Sequence, residues 1–277
     1  MRTSGIIIRQ KSNLYTVYSN GREYDCRARG KFRQDKLTPL VGDFVVFDDE
    51  DKYILELTPR KNELSRPPIA NVDAALIVTS VKKPNFSLPL LDKEIACILF
   101  AHIEPIIVLT KMDLLNREEL RSVKKTIKYY SSIGFKVLDN RHLFRLKRIL
   151  KGKTVVLTGQ TGAGKSTLLN KLDKSLSLET NEISEALGRG VHTTRHTEIY
   201  NVKGIRIADT PGFSALDLTM PKDELKGLYP EFNGAECKYA DCNHIKEKGC
   251  SVKKAYDDGK ILASRYENYV KFWGELK

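Results

Sequence analysis

The sequence has little of what would tie it to a membrane or to an oxidising compartment. No apolar run approaches the roughly 20 residues that a bilayer-spanning helix needs. The N-terminal stretch Met1–Arg9 holds only the short apolar run Ile6-Ile7-Ile8, too little for the core of a secretory signal. Cysteines number five and no Cys-x-x-Cys pair occurs, which argues against a disulfide framework and against a paired redox site. Internal repeats and low-complexity tracts are absent. Glycine and proline stay modest beside 41% hydrophobic and 30% charged residues, which excludes a disordered chain. A folded, soluble, cytoplasmic protein with no membrane partner is the expectation.

Acidic residues are also in short supply. The chain has 35 Asp and Glu against 47 Lys and Arg, a net charge of +12 and a pI near 9.3. Such a balance leans toward a polyanionic partner, nucleic acid or nucleotide. The excess is concentrated: Arg121 to Lys153 carries eleven basic residues and one acid, Asp139. The block fits RNA phosphates, and it fits a solvated basic face equally well.

At 277 residues the chain exceeds one typical domain of roughly 100–150 residues. Residues 1–66 read as five short strands, Gly5–Arg9, Leu14–Ser19, Glu23–Arg29, Asp43–Asp48 and Tyr53–Leu57, separated by turn residues such as Asn20-Gly21. Five strands of this length fit a small closed barrel of the OB or SH3-like kind. Its segment Cys26–Arg33 is basic with Phe32 interleaved, the pattern of an RNA-facing stretch or of an ordinary exposed hairpin. Arg66-Pro67-Pro68 marks a boundary.

Residues 67–217 alternate apolar strands (Ala74–Thr79, Pro105–Leu109, Phe135–Leu138, Thr154–Leu157, Ile205–Ala208) with helices at Leu91–His102, Arg117–Ile133, His142–Leu150 and Lys165–Lys171. That alternation predicts an α/β domain with a parallel sheet. Residues 218–277 read as helical with a cysteine cluster inside.

The sharpest motif is Gly159-Gln160-Thr161-Gly162-Ala163-Gly164-Lys165-Ser166-Thr167, a G-x-x-x-x-G-K-[ST] phosphate loop placed after a strand and before a helix. Its glycines let backbone N–H groups close around phosphate oxygens, and the helix N-terminus adds a favourable dipole. Lys165 reaches the β- and γ-phosphates and Ser166 ligates Mg²⁺ in such a loop. Asp209-Thr210-Pro211-Gly212 follows another apolar strand, with Asp209 placed for a Mg²⁺-bound water and the Gly212 N–H for the γ-phosphate. Between them lies Gly188-Arg189-Gly190-Val191-His192-Thr193-Thr194-Arg195, a switch-like segment. Either Thr193 or Thr194 completes Mg²⁺ coordination there, with Thr194 favoured.

Thr110-Lys111-Met112-Asp113 fits the base-selecting element usually written Asn-Lys-x-Asp. The Asp113 carboxylate accepts from guanine N1–H and N2–H₂, a pair adenine does not offer, which argues against an ATPase or small-molecule kinase. Thr110 stands in place of Asn. Cys237-x4-Cys242-x-His244-x5-Cys250 offers three thiolates and one imidazole within fourteen residues, a ligand set for one closed, structural Zn²⁺ site. Cys26 and Cys97 read as inert thiols outside it.

The base-selecting element precedes the phosphate loop, the reverse of the usual order, as a cyclic permutation of the chain would produce. With a barrel in front and the cysteine cluster behind, the sequence resembles the circularly permuted ribosome-biogenesis GTPases of the RsgA (YjeQ/EngC) family. The carriers are Arg66-Pro67, Ile69-Ala70-Asn71-Val72-Asp73, T-K-x-D, G-Q-T-G-A-G-K-S-T, G-R-G-V-H-T-T-R, D-T-P-G-F and the Cys/His pattern. The resemblance implies an OB barrel, a permuted GTPase domain and a mostly helical zinc domain. It further implies a monomer that hydrolyses GTP to GDP and binds the small ribosomal subunit and its rRNA during late maturation.

Two departures matter. Phe213 follows Gly212 where an ordinary GTPase has Gln, and Phe neither donates nor accepts a hydrogen bond. His192 is then the family's candidate for positioning water, and a GTP-gated RNA-binding module with incidental hydrolysis is the alternative reading. The Ser-Ala element expected after the base-selecting strand is missing, and the strand Phe135–Leu138 ends in Asp139-Asn140 instead. Leu114, Ile261, Leu262, Tyr266, Tyr269 and Trp273 are expected to pack.

Overall fold

The computed structural model describes residues 1–30, 32, 37–65, 68–173, 197–209 and 217–277. Two compact units emerge. The first comprises Met1–Leu76, His142–Thr158 and Gly164–Ser214, the second Ile77–Arg141, Gly159–Ala163 and Ala215–Lys277.

In the first unit, β1 (Arg2–Lys11), β2 (Leu14–Ser19), β3 (Arg22–Ala28), β4 (Phe44–Asp48) and β5 (Tyr53–Leu57) close into a barrel. The order is β1-β2-β3-β5-β4, with β4 returning to β1 at Gly5↔Val45 and only β3–β5 parallel. This is an OB-like closure, and it leaves the barrel strands no free edge. Alternate side chains fill the inside: Ile7, Val17, Cys26, Val45, Phe47 and Ile54 are all buried. The β2–β3 turn is Asn20-Gly21, both at positive φ, as a two-residue hairpin with right-handed strand twist requires. Phe32, read from sequence as part of an RNA-facing stretch or of an ordinary exposed hairpin, is only 4% exposed. Apolar area outweighed the basic neighbours that flank it in sequence.

Leaving the barrel, the chain forms the small hairpin β6 (Glu63–Ser65) and β7 (Pro68–Ala70). Arg66 and Pro67 lie outside the described residues. Asn71 follows in the left-handed region (φ 57) and is buried. Its Oδ1 accepts from Lys61 N–H at 3.0 Å and its Nδ2 donates to the Gly42 carbonyl at 3.0 Å. Asp73 brackets Thr154: its N–H donates to the Thr154 carbonyl at 2.8 Å while its carboxylate accepts the Thr154 N–H at 2.6 Å. These bonds start β8 (Ala74–Ser80) beside β11 (Thr154–Thr158). Parallel to β11 runs β13 (Ile205–Asp209), joined to β12 (Glu198–Val202) by a Lys203-Gly204 turn with both φ positive. Strand β12 was not foreseen, and it meets β1 at Arg9↔Glu198, where the guanidinium of Arg9 bonds the Glu198 carboxylate at 2.6 Å. The helices α3 (Leu143–Leu150) and α4 (Lys165–Leu172) of this unit match their sequence placement to within one residue.

In the second unit β9 (Glu104–Thr110) pairs in parallel with β10 (Lys136–Asp139), and β8 follows in the order β10-β9-β8. Buried on both faces, β9 reads as a continuous apolar run. Helix α1 (Leu88–Phe100) begins three residues before its expected start, because Pro89 suits a first turn and Ser87 caps it. Helix α2 (Arg117–Ser132) opens on a reciprocal capping box between Asn116 and Glu119. Phe135 precedes β10 and is buried.

The C-terminal part has two 3-10 turns (Lys222–Leu228 and Pro230–Phe232), then α5 (Ser251–Asp257) and α6 (Ala263–Glu275). The stretch carrying Cys237, Cys242 and His244 is irregular, not helical as read from sequence, with His244 and Gly249 at positive φ. Ligands from so short a segment converge only if the chain folds back. Tyr229, Phe232 and Tyr269 pack ring to ring at 4.9–5.1 Å, and Ile261 and Tyr266 are buried with them. Leu114 is the exception among the expected packing residues; it is 43% exposed.

A buried polar cluster fastens α6 to α1 and α2. Arg265, 1% exposed, donates to Asp92 at 2.9 Å and to both Glu231 oxygens at 2.7 and 3.0 Å. Its guanidinium lies 4.2 Å from the Tyr229 ring centre. Tyr130 and Asn268 each donate to Asp92 at 2.6 Å. Two carboxylates share one guanidinium here, and the hydroxyl and amide donors satisfy the rest.

Candidate nucleotide and metal sites

The phosphate loop owes its course to glycine. Gly159 has φ +124, and a Cβ there would lie 2.0 Å from the Val78 carbonyl oxygen, so no other residue fits. Gly162 and Gly164 also have positive φ. Gly164 caps α4 without a side chain, so the first-turn N–H groups, beginning at Lys165, receive no side-chain cap bond. Ala163 is buried and its N–H donates to the Gln160 carbonyl at 3.1 Å. Ser166 is buried, while Thr161 and Thr167 are exposed.

The base-selecting tetrapeptide is bonded directly to this loop. Thr110, 2% exposed at the end of β9, donates its hydroxyl to the Ala163 carbonyl at 2.6 Å. Lys111, left-handed at φ 59, donates from Nζ to the Gly162 carbonyl at 2.8 Å and to the Lys83 carbonyl. Met112 turns inward, and Asp113 stands exposed on the short 3-10 turn that follows. Lys82 makes a 2.8 Å ion pair with Glu119 of the α2 capping box. That pair, together with the Asn116 N–H, holds the Glu119 carboxyl below its ordinary range.

After β10, Asp139 does two things. It accepts the Arg141 backbone N–H at 2.7 Å and clasps the Arg141 guanidinium at 2.8–2.9 Å. Asn140 N–H donates to the Leu109 carbonyl at 2.9 Å. The backbone N–H groups of Asn140 and Arg141 are therefore engaged within the protein. The hydrogen bond to Asp139 raises the pKa of Arg141, and the charges of Asp139 and Asp113 add to it.

Of the remaining sequence candidates, Asp209 ends β13 opposite Glu198. His192, Thr193, Thr194, Gly212 and Phe213 lie outside the described residues.

The ligand atoms of Cys237, Cys242, His244 and Cys250 all lie within 4.8 Å of one another. Cys237 Sγ is 3.9 Å from Cys250 Sγ and 3.6 Å from His244 Nδ1, which is 3.3 Å from Cys250 Sγ. Zn–S bonds near 2.3 Å and Zn–N bonds near 2.0 Å imply tetrahedral edges of roughly 3.8 and 3.5 Å, so the four residues fit one zinc ion. The loop is held from outside the ligand set: Tyr266 donates to the His244 carbonyl at 2.7 Å and Tyr269 to the Asn243 carbonyl at 2.6 Å. Glu247 accepts the N–H groups of Asn243, Ile245 and Lys246 at 2.8–2.9 Å. Burial raises both thiols outside the cluster, Cys26 up to about 11 and Cys97 up to about 12.

On the barrel, an open groove of about 1020 Å³ is lined by the exposed cations Lys11, Arg27 and Arg29 together with Tyr15 and Phe32. Lys31 and Arg33 lie outside the described residues. No described helix is long and apolar enough to cross a membrane.

A family model described as RsgA GTPase matches residues 57–219, and one described as RsgA N-terminal domain matches residues 4–53. The chain belongs to the RsgA GTPase family. RsgA relatives named small ribosomal subunit biogenesis GTPase include one from Enterococcus faecalis, 46% identical over 99% of this chain and 95% of that one. Another, from Latilactobacillus sakei, is 45% identical over 99% and 96%. Among solved structures, YjeQ from Thermotoga maritima superposes with a TM-score of 0.88 at 35% identity, covering 100% of this chain and 99% of its own. YloQ, described as a circularly permuted GTPase, superposes at 0.85 with 36% identity, covering 100% and 95%. As an RsgA family member the chain is a GTP-hydrolysing enzyme on a permuted GTPase fold, with an OB-like barrel before it and a Cys₃His cluster after it.

Sequence reading missed several supports of the RsgA sites. Asn71 and Asp73 were part of the family pattern, but their bonds to Gly42, Lys61 and Thr154 give them a structural office at the start of β8. The Asp92–Arg265 pair, 173 residues apart, leaves no local signal.

Proposed function

We propose that this chain binds the small ribosomal subunit through rRNA and hydrolyses GTP there, with the subunit stimulating turnover during late maturation. The observation that carries the nucleotide reading is the pair of bonds from Thr110 and Lys111 to the Ala163 and Gly162 carbonyls. They tie the tetrapeptide read as guanine-selecting to the first part of the phosphate loop, Gly159–Ala163. The subunit reading rests on the names of the RsgA relatives, the net charge of +12 and the cation-lined barrel groove.

In this reading residues 1–66 form the RNA-binding barrel, 67–217 the GTPase domain and 218–277 the zinc domain of a cytoplasmic monomer. Asp113 accepts from guanine N1–H and N2–H₂, and the Lys111 stem lies along the base. The loop Gly159–Thr167 wraps the phosphates, and Lys165 offsets charge growing on the β- and γ-phosphates in the transition state. Mg²⁺ bound with the nucleotide supplies further charge neutralisation, and Ser166, Asp209 and either Thr193 or Thr194 would hold it. Gly212 N–H meets the γ-phosphate, and His192 orients water in the absence of a Gln at Phe213. One zinc ion on Cys237, Cys242, His244 and Cys250 supplies structural cross-linking only.

GTP turnover by the purified protein, alone and with small subunits, large subunits or naked RNA, tests the proposal. Stimulation by small subunits alone is expected. Asp113→Asn should exchange guanine preference for xanthine nucleotide. Equal slow turnover throughout, with GTP still controlling RNA binding, would instead favour a nucleotide-gated binding module and remove His192 as a catalyst.

A further inference from the structure

Helix α3 carries an apolar residue where its fold has no use for one. Its packed side is formed by Leu146 and Leu150, at 2% and 0% exposure. Phe144 lies about 160° round the helix from Leu146 at 3.6 residues per turn. It is 82% exposed, more than any other large hydrophobic residue among those described. Its ring meets no other aromatic ring and no cation among the described residues. As an exposed first-turn residue, Phe contributes less helix propensity than Ala and leaves its apolar area in water, so its presence has no return in stability.

The surroundings are of one sign. Arg148 and Lys151, four and seven residues on, share this exposed side with Phe144, and Arg145 is exposed beside it. Among the described residues no carboxylate lies within ion-pair distance of these three cations. From Asn140 to Leu172 the chain has no Asp or Glu at all.

A lone ring among unpaired cations is too small an apolar face for a membrane surface, which takes a broad apolar stripe. It matches single-stranded nucleic acid, whose bases stack on aromatic rings while guanidinium and ammonium groups follow the phosphates. A base inside a duplex is unavailable to such a ring. We propose that Phe144 stacks on an unpaired base of rRNA, with Arg148 and Lys151 on the adjoining phosphates, as a contact separate from the barrel groove. The inference rests on the rRNA-binding reading above and adds a location and a chemistry to it.

The test uses the full chain bound to small ribosomal subunits with a non-hydrolysable GTP analogue, and in parallel to deproteinised small-subunit rRNA. Affinity is compared for wild type, Phe144→Tyr, Phe144→Leu and Phe144→Ala. Tyr should bind like wild type, whereas Leu and Ala should both lose roughly tenfold on either target, within the range of one base–aromatic stack. Arg148→Gln and Lys151→Gln should each lower the slope of log affinity against log salt by about 0.7. Phe144→Trp should show emission quenched by a single-stranded oligoribonucleotide and not by a duplex. All variants should melt with wild type; a lowered Tm for Phe144→Ala would overturn the proposal by giving the ring a packing role.

Undiminished binding by Phe144→Ala, where wild type binds tightly, would overturn the site and leave the rRNA reading intact. Full binding by Phe144→Leu, or a loss confined to intact subunits, would overturn it in favour of an apolar contact with protein. Failure of wild type to bind either target would bring down both.

Discussion

The hydroxyl of Thr110 donates to the carbonyl oxygen of Ala163 at 2.6 Å, so the first residue of the base-selecting element is bonded to the middle of the phosphate loop. Thr thus does what a departure from Asn put in question: it makes the bond from a β-branched residue locked into β9 and 2% exposed. Thr110→Val keeps the shape and removes the donor, leaving a buried carbonyl unpaired at a cost of about 1–3 kcal/mol. GTP affinity, read by titration of a fluorescent nucleotide, should fall about tenfold as that energy is lost from the bound state. Thr110→Ser, which keeps the hydroxyl, should bind near wild type. Unchanged affinity for Thr110→Val would mean that the two loops are held together by other contacts.

The Cys₃His cluster should hold one zinc ion per chain by elemental analysis of protein purified without added metal. Cys250→Ser should abolish that stoichiometry. Stripping the metal with a chelator should collapse the near-ultraviolet signal of Tyr229, Tyr266 and Tyr269, because the latter two grip carbonyls of the ligand loop. Retention of that signal in metal-free protein would show that the aromatic core folds independently of the ion.

Arg265 stands between two buried carboxylates, Asp92 at 2.9 Å and Glu231 at 2.7 Å. Arg265→Ala leaves both uncompensated and should cost about 3–5 kcal/mol in chemical denaturation. Arg265→Lys should recover little, since one ammonium does not reproduce a fork that bonds three carboxylate oxygens. Adding Glu231→Gln to Arg265→Ala should restore part of the loss, and a strictly additive double variant would deny the coupling.

The Lys82–Glu119 pair gives a pH signature of known sign. The bond from Lys82, with the Asn116 N–H, lowers the folded Glu119 value below its ordinary 4.5. A depressed carboxylate contributes stability that is complete above the unfolded value and is lost as pH falls through the folded one. Wild type should therefore melt slightly above Glu119→Gln at neutral pH, and the two curves of Tm against pH should converge below the ordinary glutamate range. The gap should also narrow with salt, as for any exposed pair. A constant gap down to acid would assign the effect to the capping box alone.

Much of the architecture is legible in the chain because local and global signals agree. Leu14–Ser19 and Tyr53–Leu57 carry β-branched and aromatic residues between turn formers, and both strands appear with those bounds. The phosphate loop and the cysteine spacing are legible for a different reason: their chemistry demands fixed intervals. Strand β12 escaped because Glu198-Ile199-Tyr200-Asn201-Val202 is short, half polar and followed by Lys203-Gly204, so its turn is a stronger signal than its strand. Phe32 and Leu114 were misplaced for lack of tertiary information. A lone aromatic among arginines looks exposed in a sequence and is buried here, while Leu114, one residue beyond Asp113, points outward from a 3-10 turn. Nothing local announces that Thr110 meets Ala163, 53 residues on.

Besides β2, strand β1 pairs with two further strands at different points of its length. Its first half zips to β4 and closes the barrel, and near its end Arg9 lies against Glu198 of β12, the strand that leads by a hairpin into β13 and Asp209. The barrel is consequently not a detachable cartridge. Cutting it away would strip β12 of its neighbour and bare a raw sheet edge next to the strand that carries Asp209. A truncated chain would report on a damaged enzyme as much as on the loss of the proposed RNA contact, and point changes in the groove at Arg27 or Arg29 are the cleaner instrument.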